Sequence, residues 1–200
     1  MILPAFYPIL DAETAKGGAE ALLEAGATII QFRHKGFFSR KEFEQAKQIA
    51  KLCRAANALF VVNDRADIAK LLDAGLHLGQ DDLAPADARR ILPAPSVIGF
   101  STHNEQQLLA GNSEPVDYLA IGPIFPTRSK LNPDPLVGLD QLRALRKLTP
   151  KPLVAIGGIT RESAPQVFEA GADSVAVISD LFPRPEEWIA ICAGARAAEK

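Results

Sequence analysis

The sequence predicts an α/β protein folded as a single-domain (β/α)8 TIM barrel over residues 1–200. Three observations carry that prediction. A short aliphatic or β-branched run, a polar or glycine-containing turn and an amphipathic helical stretch recur in that order down the whole chain. Eight such units in 200 residues leave about 25 residues each, close to the least a strand–helix repeat can use and at the short end of the barrel range. Each aliphatic run is compact, as suits a parallel strand buried on both faces. An open doubly wound sheet also alternates strand and helix, but such sheets commonly close their count at about five or six strands.

The strands are expected near Phe6–Leu10, Thr28–Phe32, Leu59–Val62, Leu76–Leu78, Val97–Phe100, Tyr118–Ile121, Leu153–Ile156 and Ser174–Val177. Helices fall between and after them, near Thr14–Ala25, Arg40–Ala56, Ala66–Ala74, Pro85–Leu92, Glu105–Ala110, Leu139–Leu148, Ala164–Ala170 and Pro185–Ala198. Ser39 is placed to cap the second helix. Gly26 and Gly171 stand where a helix C-terminus favours a left-handed residue. The one long irregular stretch runs from Gly122 to Gly138 and holds Pro123, Pro126, Pro133 and Pro135; a loop of that length in a small domain usually serves function.

Composition narrows the classes of function. The chain has 22 basic and 24 acidic residues, a net charge of −2, which disfavours nucleic acid or an anionic membrane surface as the main partner. Two separated cysteines, Cys53 and Cys192, make neither a disulfide framework nor a CxxC pair, and the expected compartment is the cytoplasm. No stretch approaches the roughly 18 apolar residues of a membrane span. The apolar run Met1–Leu10 contains Pro4 and Pro8, lacks a basic start and does not read as a signal peptide. Small-molecule substrates are the expected partners, and a homo-oligomer is compatible with the sequence.

In a (β/α)8 barrel the residues just past the C-terminal end of each strand converge on one mouth. Those positions supply Gln31, Arg33 and Lys35 from the second unit, Asn63 and Asp64 from the third, and His77, Gln80, Asp81 and Asp82 from the fourth. The fifth gives Ser101, Thr102 and His103, the sixth Thr127, Arg128, Ser129 and Lys130, the seventh Gly157-Gly158 and the eighth Ser179. Basic side chains, two separated carboxylate positions, hydroxyls and a glycine pair are what phosphate groups bridged by a divalent cation require.

Each motif has a purely structural alternative. Gln31, Arg33 and Lys35 share one strand face and read as an anion clamp or a solvated strand exit; the clamp is favoured, because charges on an inner barrel face are costly without a partner. Asp64 reads as a hard-cation ligand or the cap of the next helix, and Asp81 and Asp82 share that ambiguity. Gly157-Gly158 reads as a phosphate-binding backbone or a tight left-handed turn. His77 and His103 each read as a hydrogen-bonded core or rim residue or as a catalyst; the structural reading is favoured for His77, and His103 stands open. There is no zinc-ligand spacing, GxSxG elbow, Walker loop or GxGxxG fingerprint.

Seven stretches in order also resemble one enzyme family. They are Gln31-Phe32-Arg33-His34-Lys35, Val62-Asn63-Asp64-Arg65, His77-Leu78-Gly79-Gln80-Asp81-Asp82, Gly99-Phe100-Ser101-Thr102-His103, the run from Gly122 to Lys130, Ala155-Ile156-Gly157-Gly158-Ile159 and Val175-Ala176-Val177-Ile178-Ser179. Together they resemble thiamine phosphate synthase from about Tyr7 to Phe182. The resemblance implies a Mg2+-dependent transferase that joins 4-amino-5-hydroxymethyl-2-methylpyrimidine diphosphate to a thiazole phosphate, with or without a carboxylate, and releases pyrophosphate. It implies diphosphate and pyrimidine contacts from Gln31, Arg33, Lys35, Asn63, Ser101 and Lys130, with Arg33, Ser101 and Lys130 catalytic. Asp64 and Asp82 match the Mg2+ ligands, and Thr127, Ser129, Gly158, Ile178 and Ser179 match the thiazole phosphate site. The resemblance implies ionisation of the pyrimidine to a stabilised carbocation, which the thiazole nitrogen captures, so no protein nucleophile is needed. The loop carrying Lys130 is then expected to close over the site and exclude water.

Two departures accompany the resemblance. Ser129 stands where members commonly have threonine, which retains the hydroxyl. The run from Leu72 to His77 is shorter than usual, so the fourth strand is expected to shift. Rival readings on the same scaffold are a thiazole tautomerase using His103, which has no use for a carboxylate pair, and a non-catalytic binder of a phosphorylated ligand.

Overall fold

Parallel strands need a crossover of a dozen or more residues between them, and a helix that packs back onto the sheet is the ordinary solution. In the computed structural model, which describes residues 3–12, 15–127 and 134–198, this solution is used throughout. The elements alternate as β1 (Phe6–Asp11), α1 (Ala15–Glu24), β2 (Ile29–Arg33), α2 (Arg40–Ala55), β3 (Leu59–Asn63), α3 (Ala66–Leu71), β4 (Gly75–Leu78) and α4 (Pro85–Ile91). They continue as β5 (Ile98–Thr102), α5 (Glu105–Ser113), β6 (Tyr118–Ile121), α6 (Gly138–Arg146), β7 (Leu153–Ile156), α7 (Ala164–Glu169), β8 (Ser174–Val177) and α8 (Pro185–Ala198). All neighbouring strands are parallel, and β8 returns to β1 through Phe6↔Val175, Tyr7↔Ala176 and Pro8↔Val177. The sheet is a closed barrel, so the open-sheet alternative is excluded.

Closure divides each strand between two cores. On β2, Ile30 and Phe32 join the large outer core beneath the helices, while Ile29 faces inward with Tyr7, Val61, Tyr118 and Val154. Both faces are covered, which is why the strands read as compact apolar runs rather than clean alternations. Ser39 caps α2, with Oγ accepting from Lys41 N at 3.2 Å and the Glu42 carboxylate accepting from Ser39 N at 3.1 Å, the reciprocal box of a well-formed helix start. Gly26 and Gly171 leave α1 and α7 with φ of +102° and +99°, as their positions predict.

The fourth strand begins at Gly75, one residue before the expected Leu76, and the helix before it is shorter than expected. α3 stops at Leu71, three residues before the expected Ala74, because Asp73 turns left-handed at φ +51° and lets the chain enter β4 directly at Gly75. β4 then pairs in register with both neighbours, through Asn63↔His77 and His77↔Gly99.

Two equivalent ion pairs tie helices to strand starts. Arg89 of α4 meets Asp117 at 2.9 Å, and the same carboxylate oxygen accepts from Ile98 N at 2.7 Å. Arg146 of α6 meets Asp173 at 2.7 Å, whose oxygen accepts from Leu153 N at 2.8 Å. Both lie at strand N-termini, the face of a (β/α)8 barrel associated with stability rather than chemistry.

The barrel interior also holds polar side chains, and Gly99 makes their arrangement possible. A Cβ on Gly99 would lie 2.0 Å from Tyr118 Cζ, so the tyrosine ring occupies the space where a side chain would stand. The Tyr118 hydroxyl is 2.7 Å from that of Tyr7 and 3.0 Å from His77 Nδ1. Gln31 Nε2 donates to the Tyr7 hydroxyl at 3.0 Å, and His77 Nε2 lies 2.8 Å from Ser101 Oγ. His77 is thus the hydrogen-bonded core residue its strand position suggests, and burial pushes its pKa down to about 4, so its ring is neutral at pH 7.

The crowded Gly99 and the open helical position Gly194 make a contrast in packing. Gly99→Ala should destabilise the protein by about 1–3 kcal/mol through overpacking against Tyr118. Gly194→Ala, on α8 with open space around it, should be neutral or stabilising by up to about 1 kcal/mol; urea unfolding of both variants tests the contrast. The unfolded chain takes up the His77 proton near pH 6.5 and the folded chain only near 4. The stability owed to neutral His77 is therefore complete above pH 6.5 and falls by about 3 kcal/mol as pH drops to 4. His77→Asn should flatten the difference in unfolding free energy between pH 7 and pH 4.5; an unchanged difference would refute the assignment.

Candidate active site

Above this polar floor, the strand C-termini surround a cavity of about 450 Å3. Gln31, Arg33 and Lys35 enter its wall from the end of β2, Asn63 and Asp64 from β3, and Asp82 from the turn after β4. Ser101 contributes from β5, Thr127 from the loop after β6, Gly158 from the turn after β7, and Ile178 and Ser179 from the end of β8. Eleven of the thirteen expected site residues therefore share one cavity. The other two, Ser129 and Lys130, lie outside the described residues, as do Arg128 and residues 131–133 of the loop expected to close.

The chain leaves β3 by a tight turn that presents a carboxylate to the mouth. Asp64 N donates to His77 O at 2.8 Å, and Asp64 adopts φ +64°, a left-handed conformation that aspartate tolerates better than most residues. The cap position of α3 belongs to Arg65, which makes no side-chain cap bond, so Asp64 is not the helix cap its position also allowed. Asp82 is fixed differently: its Oδ2 accepts from Gly79 N at 2.7 Å, and it stands two residues ahead of the Ala84 cap of α4.

The two carboxylates bear on each other. Burial first and the neighbouring Asp82 second push the Asp64 carboxyl up to about 6, against the pull of Lys35, whose Nζ sits 2.6 Å from Asp64 Oδ2. Asp82, rather than the adjacent Asp81, is the acid felt by Asp64. A pair of carboxylates that resist sharing negative charge is a donor set suited to a hard divalent cation. Mg2+ commonly takes only one or two protein carboxylates and completes its octahedron with water and phosphate oxygens. No group of three or more potential metal-ligating side chains occurs among the described residues, so a cation here would depend on a ligand's own oxygens.

Donors line the rest of the wall. Asn63 is 7% exposed and its Nδ2 is buried without a hydrogen-bond partner among the described residues. A donor left so inside a cavity wall is costly unless a ligand oxygen accepts from it. Across the mouth, Gly157 and Gly158 have φ of +100° and +64°, and a Cβ on either would strike the loop after β6, at Pro123 and at Pro126 O. The left-handed turn and the close approach are thus one feature, bringing the 122–127 segment against the β7 turn. Phe125 N donates to Gly157 O at 2.9 Å there.

His103 stands on the rim. Its Nδ1 is 2.7 Å from Gly122 O, so it carries the proton, and 3.5 Å from Asp134 Oδ2. Its backbone N donates to Gln107 Oε1 at 2.8 Å. Asp134 and Gln107 line the cavity without having drawn notice in the sequence. Tyr7 and Tyr118 were also passed over, because each lies inside an apolar strand run; the available signal was their inward phase, shared with Ile9 and Ala120.

Comparison with known proteins agrees with this geometry. The family model described as thiamine monophosphate synthase matches residues 6–181. A thiamine-phosphate synthase of Koribacter versatilis is 48% identical over 195 residues, covering 92% of each chain. One from Persephonella marina is 43% identical over 164 residues, or 82% of this chain and 78% of the relative. Among solved structures, the thiamine phosphate pyrophosphorylase from Pyrococcus furiosus superposes with a TM-score of 0.85 at 32% identity, over 96% of this chain and 97% of that one. With the match running through all eight strand ends and the motifs of the cavity wall, the chain belongs to the thiamine monophosphate synthase family.

Proposed function

We propose that this single barrel joins 4-amino-5-hydroxymethyl-2-methylpyrimidine diphosphate to a thiazole phosphate, with or without a carboxylate, giving thiamine phosphate and pyrophosphate. The observation that carries the reading is the sharing of one cavity by a paired-carboxylate wall at β3 and β4 and a glycine-and-hydroxyl wall at β7 and β8. One wall suits a diphosphate with its cation, the other a monophosphate.

The reaction breaks the bond between the pyrimidine methylene carbon and the diphosphate oxygen, whose electron pair leaves with pyrophosphate. The thiazole nitrogen then supplies the pair for the new carbon–nitrogen bond. Arg33 and Lys35 stabilise charge developing on the leaving group, and Asn63 Nδ2 and the Ser101 hydroxyl donate to its oxygens. Mg2+ held by Asp64 and Asp82 would neutralise the same diphosphate. Gln31 orients the pyrimidine ring. Lys130 keeps the catalytic role its family position implies, and Thr127, Ser129, Gly158, Ile178 and Ser179 hold the thiazole phosphate. The described residues need supply no nucleophile, because the aminopyrimidine itself stabilises the cation. A proton-transfer isomerase would leave the carboxylate pair without a task. The proposed location is the cytoplasm, whose reducing conditions suit the free, buried Cys53 and Cys192; no helix among the described residues is long and apolar enough to cross a membrane.

The test is pyrophosphate release from the purified protein with Mg2+, given either substrate alone or both together. Thiamine phosphate and pyrophosphate should appear in equal amounts only with both, and neither should appear with a chelator. Asp64→Asn should cost about 100-fold or more in turnover at limiting Mg2+ without lowering Tm, because the folded protein already resists charge at that position. Near-normal turnover would remove the metal assignment. Lys130→Ala should slow the single-turnover rate far more than it weakens substrate binding, and an unchanged rate would refute its role.

A further inference from the structure

Beneath the cavity, five side chains from five different strands form one unbroken line: Gln31 to Tyr7 at 3.0 Å, Tyr7 to Tyr118 at 2.7 Å, Tyr118 to His77 Nδ1 at 3.0 Å, and His77 Nε2 to Ser101 at 2.8 Å. Its two ends, Gln31 and Ser101, line the cavity, whereas Tyr7 and Tyr118 do not. The phenols are 1% and 0% exposed, so water does not interrupt the line. A phenol keeps its proton at neutral pH, and a neutral imidazole carries one proton on one of its two nitrogens, each of which here faces a hydroxyl. Each of the three therefore carries one movable proton at neutral pH.

One proton per member leaves only two coherent orders. With the Gln31 amide nitrogen on Tyr7, that phenol donates to Tyr118, Tyr118 donates to His77 Nδ1, and Nε2–H donates to Ser101 Oγ. The Ser101 proton and the Gln31 carbonyl oxygen then remain for the cavity. Turning the amide over reverses every link, so that Ser101 spends its proton on His77 and Gln31 offers the cavity a donor. Any mixed order sets two donors face to face, sets the two phenol oxygens against each other at 2.7 Å with no proton between them, or leaves a buried phenol proton without an acceptor, at the cost of an unmade buried hydrogen bond.

We propose that Tyr7, Tyr118 and His77 are positioning residues forming a directional relay, in which a hydrogen-bond donor on the ligand at Gln31 fixes Ser101 as a donor toward an anionic oxygen at the other end. The identity of that ligand rests on the proposed function, with the exocyclic amine of the aminopyrimidine as the donor and the leaving diphosphate as the anion. The relay itself does not. It makes the group that assists departure correctly protonated only when the right ring is seated.

The tautomer of His77 reports the direction. Nitrogen-15 NMR of the ligand-free full chain at pH 8, with the three histidines assigned by substitution, should show His77 protonated at Nε2 in the wild type. Gln31→Glu places an acceptor-only group at the start of the line and should move the proton to Nδ1. Adding Tyr118→Phe, which keeps the ring over Gly99, should abolish that dependence on position 31. The same tautomer in wild type and Gln31→Glu, or a dependence that survives Tyr118→Phe, overturns the relay. Should Gln31→Glu not fold, kinetics decide. Ser101→Ala should cost about 10- to 100-fold in single-turnover rate in the wild-type background and only a few-fold in Tyr118→Phe. Fully additive losses overturn the proposal. If the wild type releases no pyrophosphate, the proposed function fails while the ligand-free tautomer result stands, so the two failures are told apart.

Discussion

The ladder between β8 and β1 closes the sheet, and closure puts the inward side chains into one narrow, enclosed space. Apolar residues fill its lower part, including Leu3, Ile29 and Val154. Any polar group placed above them must find a partner inside the barrel or in a ligand at the mouth. The line from Gln31 to Ser101 is the first solution, and the Asn63 amide, unpartnered among the described residues, is an instance of the second. An open sheet of the same strands would have exposed edges and a face wet enough to relax both demands. The chemistry of the mouth therefore depends on a backbone pairing at the opposite end of the chain.

The same constraint explains why Gly99 and Tyr118 belong together. They are register partners on β5 and β6, and the tyrosine ring can lie across the barrel only because its partner has no side chain. The ring stacks on His77 at 5.6 Å while its hydroxyl bonds the same imidazole. Replacing this arrangement by aliphatic side chains would fill the space with less dependence on geometry. A polar interior of this kind therefore makes better sense as a device for holding Gln31 and Ser101 in fixed orientations than as a source of stability.

Much of this was readable in the residues. The repeating unit and its length were enough for the barrel, and strand ends such as Tyr118–Ile121 and Leu153–Ile156 coincide with the expected bounds because each apolar run stops where the chain meets the mouth. Helix ends were less legible, since α3 terminates at a left-handed aspartate that no propensity distinguishes from a helical one. Ten of the eleven site residues in the cavity stand among the strand exits, which converge in this fold, whereas Ile178 and the choice of Asp82 over Asp81 rest on the family resemblance. Tyr7 and Tyr118 escaped for the opposite reason: their chemistry lies in phenol oxygens that meet across the barrel, 111 residues apart in sequence. A run of apolar letters does not reveal which tyrosines meet in a closed interior.

The two ends of the barrel use similar residue types to opposite effect. At the strand N-termini, Asp117 and Asp173 each take an arginine and a backbone N–H, and the arginines find carbonyl oxygens for further donors. Such charges are satisfied within the fold and gain little from a ligand. At the C-terminal mouth, Asp64 is set in a left-handed turn beside Asp82 and resists ionising, with Lys35 as partial compensation, while Asn63 keeps a buried donor without an acceptor among the described residues. Substrate oxygens and a cation would relieve these deficits together. Because they are built into the ligand-free fold, binding need not create the electrostatic environment; it needs only to complete one already directed at a departing anion. That is the physical content of preorganisation, and it requires no protein nucleophile.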